Sequence, residues 1–140
     1  MATRGVAEQL GKVPIFSGCS KRELDAIGSA AKIVSHSEGH VIAREGDRGV
    51  GFFLITDGSA NVSIGGRNRT KLGPGDFFGE ISLLDRGPRT ATVTAASPIK
   101  LVGITAWVFR GLLEEHPGIA LKMLEVVARR LRDVTKSPTT

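Results

Sequence analysis

Between Lys32 and Ile104, turn-forming glycines interrupt short apolar runs every few residues. Glu38-Gly39, Glu45-Gly46-Asp47, Asp57-Gly58, Gly65-Gly66 and Gly73-Pro74-Gly75-Asp76 are all turn signals, because glycine accepts backbone angles that a Cβ forbids and proline or aspartate shapes the approach. The runs left between them are too short for ordinary helices. Lys32–Ser35, His40–Arg44, Gly51–Asp57, Ser59–Ile64, Arg69–Leu72, Ala91–Ala95 and Ile99–Ile104 read as strands. Asp57-Gly58 between two of them predicts a tight hairpin. Many short strands with closely spaced turns cannot make a parallel βαβ sheet; they point to a sandwich or jelly roll. With 140 residues in all, the chain suits one domain with a real core.

Helical patterns lie only outside this region. A short lead-in over Thr3–Lys12 is followed by a Pro14-Ile15-Phe16 elbow. Ser20-Lys21-Arg22-Glu23 has the form of a capping box, with Cys19 and Leu24 spaced as a hydrophobic staple, and predicts a helix to about Ala31. After the strands, Thr105 is placed to cap a helix over Ala106–Glu115. Pro117 then suits the first turn of a long helix reaching about Thr135. On it Leu124, Val127, Ala128, Leu131 and Val134 form one apolar stripe. The expected class is therefore α+β. Residues 1–31 form a helical segment, 32–104 the β-region, 105–135 the C-terminal helices and 136–140 a polar tail.

One stretch carries the chemistry: Asp76-Phe77-Phe78-Gly79-Glu80-Ile81-Ser82-Leu83-Leu84-Asp85-Arg86-Gly87-Pro88-Arg89-Thr90-Ala91-Thr92-Val93. Gly79 lets the backbone approach a ligand closely. A turn of helix over Glu80–Leu84 would aim free N–H groups back toward it. Arg89 brings a permanent charge and a planar fork of donors matched to phosphate oxygens, with Pro88 stiffening its approach. A turn directs Arg86 outward. Glu80 beside a phosphate makes sense as an acceptor for sugar hydroxyls. Taken alone, the Glu80 and Arg89 pair also reads as a surface ion pair worth little.

The same stretch resembles the phosphate-binding cassette of the cyclic nucleotide-binding domain family, in Phe78-Gly79-Glu80 and in Pro88-Arg89-Thr90-Ala91-Thr92-Val93. The likeness extends to the Pro-Ile-Phe entry and to the turn glycines. It implies an eight-stranded β-roll, jelly-roll-like, with short N-terminal helices and C-terminal lid helices. It implies that Glu80 takes a ribose 2′-OH, that Arg89 takes a cyclic phosphate, and that backbone N–H groups near Gly79, Ile81 and Ala91 complete the cradle. The expected ligand-binding set is Phe78, Gly79, Glu80, Ile81, Ser82, Arg89, Thr90, Ala91 and, as a lid over the base, Arg130. The expected ligand is cAMP, with cGMP as the alternative that the Thr90 hydroxyl permits; no other cofactor is expected.

Other chemistries find little support. No apolar run approaches the roughly 20 residues that cross a bilayer, and Met1–Pro14 has no signal-peptide core. The one cysteine, Cys19, can form no internal disulfide and reads as a small packed side chain. Both facts favour the cytoplasm. Jelly rolls also include metal-binding cupins, but His36 and His40 flank a turn, His116 sits at a helix end, and the cupin His-x-His spacing is missing. There is no Gly-Lys-Ser/Thr, no dinucleotide fingerprint with a following long helix, and no nucleophile elbow. The net charge of +5 collects at the end of the chain, where residues 117–140 hold five Lys/Arg against two Asp/Glu. With no aromatics interleaved, this reads as a solvated helix whose cations suit its C-terminus.

The sequence thus predicts a cyclic nucleotide sensor rather than an enzyme, coupling occupancy to its last helices, with an unknown effector and a dimer contact through the C-terminal helix. No helix-turn-helix, pore or kinase domain is legible. A ligandless interaction module of the same fold and a cupin-like metalloenzyme are the competing readings.

Overall fold

The chain enters through α1 (Val6–Gly11), a 3₁₀ turn (Pro14–Phe16) and α2 (Lys21–Ala30). The capping box forms as the sequence predicts: Ser20 Oγ accepts from the Glu23 N–H at 3.1 Å, and Glu23 Oε1 accepts from the Ser20 N–H at 2.8 Å. Cys19 and Leu24 both pack against the core beside it. The structure, a computed structural model, describes residues 5–48, 51–79, 82–85 and 87–134.

Eight strands follow: β1 (Lys32–His36), β2 (Val41–Ala43), β3 (Gly51–Asp57), β4 (Ala60–Ile64), β5 (Arg67–Leu72), β6 (Phe77–Phe78), β7 (Thr92–Ala95) and β8 (Ile99–Thr105). They form two four-stranded antiparallel sheets, ordered β1-β8-β3-β6 and β2-β7-β4-β5. Seven strands match the turn pattern to within a residue or two. The eighth, β6, has only two residues, too few for any periodicity to show.

β3 explains how the layers meet. It is apolar along nearly its whole length because both of its faces are covered. Phe52 and Leu54 face the helices, in a core with Leu10, Phe16, Ile27, Phe109, Ile119 and Met123. Phe53 and Ile55 face the roll interior, with Ala60, Val93, Ala95 and Leu101. Phe16 packs edge-on against Phe52 at 5.5 Å and lies 5.9 Å from Phe109, so the entry turn, the sheet and the helix that carries Phe109 meet at three rings. By contrast β5 is an edge strand exposed up to its last residue. Arg67, Arg69 and Lys71 charge that edge, which discourages pairing with another chain.

The C-terminal helices are α4 (Ala106–Glu115) and α5 (Pro117–Val134), with α3 (Ser82–Asp85) inside the cassette. One expectation changes here. Thr105 has the extended backbone of a cap residue but makes no side-chain cap bond; its Oγ1 is buried without a partner among the described residues. The apolar stripe of α5 lies on its exposed side. Ile119, Met123 and Val126 are buried, whereas Leu124 is 62% exposed, Leu131 61% and Val134 84%. The helix carries apolar residues on two faces, and the N-terminal segment and α4 cover only one. Lys122 of α5 forms an ion pair with Glu23 of α2, which fixes the docked face.

Candidate functional site

Residues at the end of β6, the segment after α3 and the roll interior enclose a cavity of about 270 Å³. Its wall includes Phe78, Gly79, Arg89, Thr90 and Ala91 of the predicted set, together with Asp85 and Pro88. Ala43, Val62 and Val93 supply its apolar side. Ser82 opens α3. Glu80, Ile81 and Arg86 lie outside the described residues. Arg130 is half-buried on α5 and does not line the cavity, nor does any other residue of α5.

Gly79 is fixed by sterics. Its φ is +86°, and a Cβ there would run into the Gly51 carbonyl oxygen and the Arg89 guanidinium. Only glycine lets the cassette backbone lie this close to Arg89. Arg89 Nη2 donates to the Gly51 carbonyl at 2.8 Å. The side chain is half-buried, and burial pulls its pKa below the ordinary guanidinium value. The group stays charged. Among the described residues no carboxylate pairs with it. Asp85 shares the cavity wall, yet its Oδ1 accepts the Gly87 N–H at 2.8 Å and so shapes the turn that delivers Pro88 and Arg89.

The arginine is positioned from a distance. The Arg89 N–H donates to the Asp47 carbonyl at 2.6 Å, and the Gly46 N–H donates to the Arg89 carbonyl at 2.9 Å. Arg48 pairs with Pro88 in an isolated bridge. The Glu45 N–H donates to Thr92 Oγ1 at 2.9 Å, and Glu45 Oε1 accepts from the Gly65 N–H at 3.0 Å. Residues 44–48 thus strap the cassette to the β4–β5 hairpin. Sequence reasoning named Glu45-Gly46-Asp47 only as a turn and missed this role, as it missed Gly51. Phe78 stacks on Phe53 of β3, with ring centroids 5.3 Å apart, which closes the floor. Chemically, a half-buried cation with no counter-charge among the described residues, backed by close backbone and an apolar wall, suits a compact anion carrying an apolar group.

Comparison with known proteins agrees. The model of the cyclic nucleotide-binding domain matches residues 33–116. The chain belongs to the cyclic nucleotide-binding domain family. It is 32% identical over 130 residues to a CRP-like cAMP-activated global transcriptional regulator of Mycobacterium tuberculosis, covering 89% of this chain and 58% of that protein. It is 33% identical over 125 residues to the cyclic AMP receptor protein of Thermus thermophilus, with 86% and 58% covered. The crystal structure of the N-terminal domain of a transcriptional regulator from Streptomyces coelicolor superposes with a TM-score of 0.83 at 30% identity, covering 92% of this chain and 96% of that one. The chain therefore spans a little over half the length of these curated relatives and nearly all of the solved domain. The eight-stranded α+β roll expected from the resemblance is the fold of this family, and the segment is a regulatory binding domain rather than an enzyme. No helix among the described residues is long and apolar enough to cross a membrane. The cupin alternative falls with the family assignment; His36 and His40 are stacked face to face at 3.9 Å, not converged on a common point.

Proposed function

We propose that this domain is a cytoplasmic sensor for cAMP. The observation that carries the reading is Arg89: a half-buried guanidinium, unpaired by any described carboxylate, lining a cavity against a glycine that nothing larger can replace. In this reading Arg89 takes the cyclic phosphate, the N–H groups near Gly79, Ile81 and Ala91 share its charge, and Glu80 accepts from the ribose 2′-OH. The cavity, about 270 Å³, falls just below the range usual for ligand sites, about 300–1,000 Å³. It suits sugar and phosphate, with the purine leaning on Val62 and out through the opening. Two of the relatives above are named for cAMP, which favours adenine; Thr90, exposed at the rim, leaves cGMP as the competitor.

Occupancy reaches the last helices through α3. Leu83 of α3 is buried in the same core as Phe109 of α4 and Met123 of α5. A ligand that draws the cassette inward moves Leu83, and α4 and α5 must repack around it. The exposed side of α5, with Leu121 63% and Leu124 62% exposed, supports a contact with a second copy of the chain as the output.

Isothermal titration with cAMP and cGMP tests the reading. Micromolar or tighter cAMP binding, weakened by loss of Arg89, supports it. No binding of either nucleotide at micromolar concentration makes the domain a ligandless interaction module. Hydrogen exchange with and without saturating cAMP tests the coupling: unchanged protection over residues 106–134 sinks it.

A further inference from the structure

A second cavity, also about 270 Å³, opens beside the Phe53 ring toward β1 and β8 and is not part of the nucleotide site. Val34 and Phe53 line it, and the indole of Trp107 and the side chain of Val108 stand at its edge. Trp107 is 64% exposed and Val108 39%. A large apolar surface left open beside an apolar hollow marks a place where something binds. Gly103 gives the hollow its shape. A Cβ there would sit 3.0 Å from the Phe53 ring, so glycine lets that ring lie along β8. A flat ring inside and an indole at the mouth suit a planar aromatic guest.

The charge around the hollow decides which guest. Lys32 faces Gly103 across the β1–β8 register and lines the mouth. None of the described lining residues is acidic, and among the described residues Lys32 has no ion-pair partner. One flexible ammonium over an apolar hollow matches one anionic head on an apolar body. We propose that this cavity is a second small-molecule site, for an aromatic carboxylate. The wall is shared with the first site: Gly51 lines the hollow while its carbonyl holds Arg89, and Phe53 stacks on Phe78. An occupant here alters how Arg89 is held, and by linkage each site then changes the other's affinity by the same factor. That consequence rests on the nucleotide reading; the site itself does not.

The test uses 2-naphthoate as probe, without nucleotide. Trp107 is the only tryptophan, so its indole N–H gives one isolated NMR signal at the mouth. The expected result is saturable shifts of that signal and of the Gly103 amide, with Kd on the order of a millimolar or tighter. Neutral 2-naphthamide should bind about two- to fivefold more weakly, and Lys32→Gln should remove that difference. Ala30→Leu places extra bulk at the wall on a helix that accepts leucine, and should abolish the shifts; Val34→Phe fills the same space from β1 if α2 is disturbed. Shifts that stay linear up to about 10 mM overturn the proposal. So do saturable shifts that survive both filling variants, or equal affinity for acid and amide.

Discussion

Replacing Arg89 is the sharpest perturbation available. Its guanidinium is half-buried, lines the cavity and donates to the Gly51 carbonyl. Truncating one partner of a buried charge-assisted contact costs about 2–5 kcal/mol of binding. Half of the side chain still meets solvent, which screens the interaction and favours the lower part of that range, about 2–3 kcal/mol. At roughly 1.4 kcal/mol per decade, Arg89→Ala should weaken cAMP binding about 30- to 150-fold. The same change leaves the Gly51 carbonyl without its donor, a loss of about 1 kcal/mol in stability. Urea unfolding of the free domain measures that part separately. Arg89→Lys keeps the charge but loses the fork and should fall between, about tenfold weaker. Titration calorimetry at two salt concentrations reads all three proteins. A folded Arg89→Ala domain that binds cAMP within about threefold of wild type would refute the placement of phosphate at Arg89.

Gly79→Ala should lower the urea midpoint, by about 1–3 kcal/mol in stability, and weaken cAMP binding, because φ +86° and two close neighbours both oppose a Cβ; an unchanged midpoint contradicts the steric reading. Glu45→Ala should cut cAMP affinity about fivefold by loosening the strap on Arg89, while Glu45→Gln, which keeps an acceptor for Gly65, should not; equal effects of the two would show that the carboxylate acts otherwise. Burial and then the neighbouring His40 pull His36 below its ordinary pKa. The unfolded chain therefore binds the proton better, and stability should fall as pH drops through about 6.5 and level off once the folded His36 is also protonated. His36→Asn should flatten that limb in thermal melts between about pH 7 and 5. Leu124→Glu should leave the fold intact and abolish any dimer seen by sedimentation; a dimer that persists places the contact elsewhere.

The fold was legible wherever residues signal locally. Glycine turns placed seven strands, and Ser20 with Glu23 placed α2, because the physics of a tight turn or a capping box is complete within a few residues. β6 was not legible, since Phe77 and Phe78 pair with β3 through contacts made elsewhere in the chain. The site divides the same way. Gly79 and Arg89 announce themselves by residue type, but what holds Arg89 in place is the backbone of Gly46, Asp47 and Gly51. Backbone carbonyls and amides are the same for every residue, so no pattern of side chains reveals which of them will meet a guanidinium 38 residues away.

α5 shows a different limit. Periodicity tells which residues share a helix face, not which face another element will cover. Leu124, Val127, Leu131 and Val134 repeat at helical spacing as well as Ile119, Met123 and Val126 do. The choice is made by groups outside the helix. The rings of Phe16 and Phe109 offer an apolar bed, and Glu23, already held by its capping role on α2, presents a carboxylate to Lys122. Its neighbours hold the Glu23 pKa below the ordinary carboxylate value, first Lys122 and then the Ser20 N–H. The pair is partly buried, with 34% of the Lys122 side chain and 15% of the Glu23 side chain exposed, so desolvation offsets much of its attraction. It can still select between two faces of similar apolar character, because only one rotation of α5 brings Lys122 to Glu23. Packing one face this way leaves the second exposed, which is the face that the proposed contact with a second copy of the chain would use.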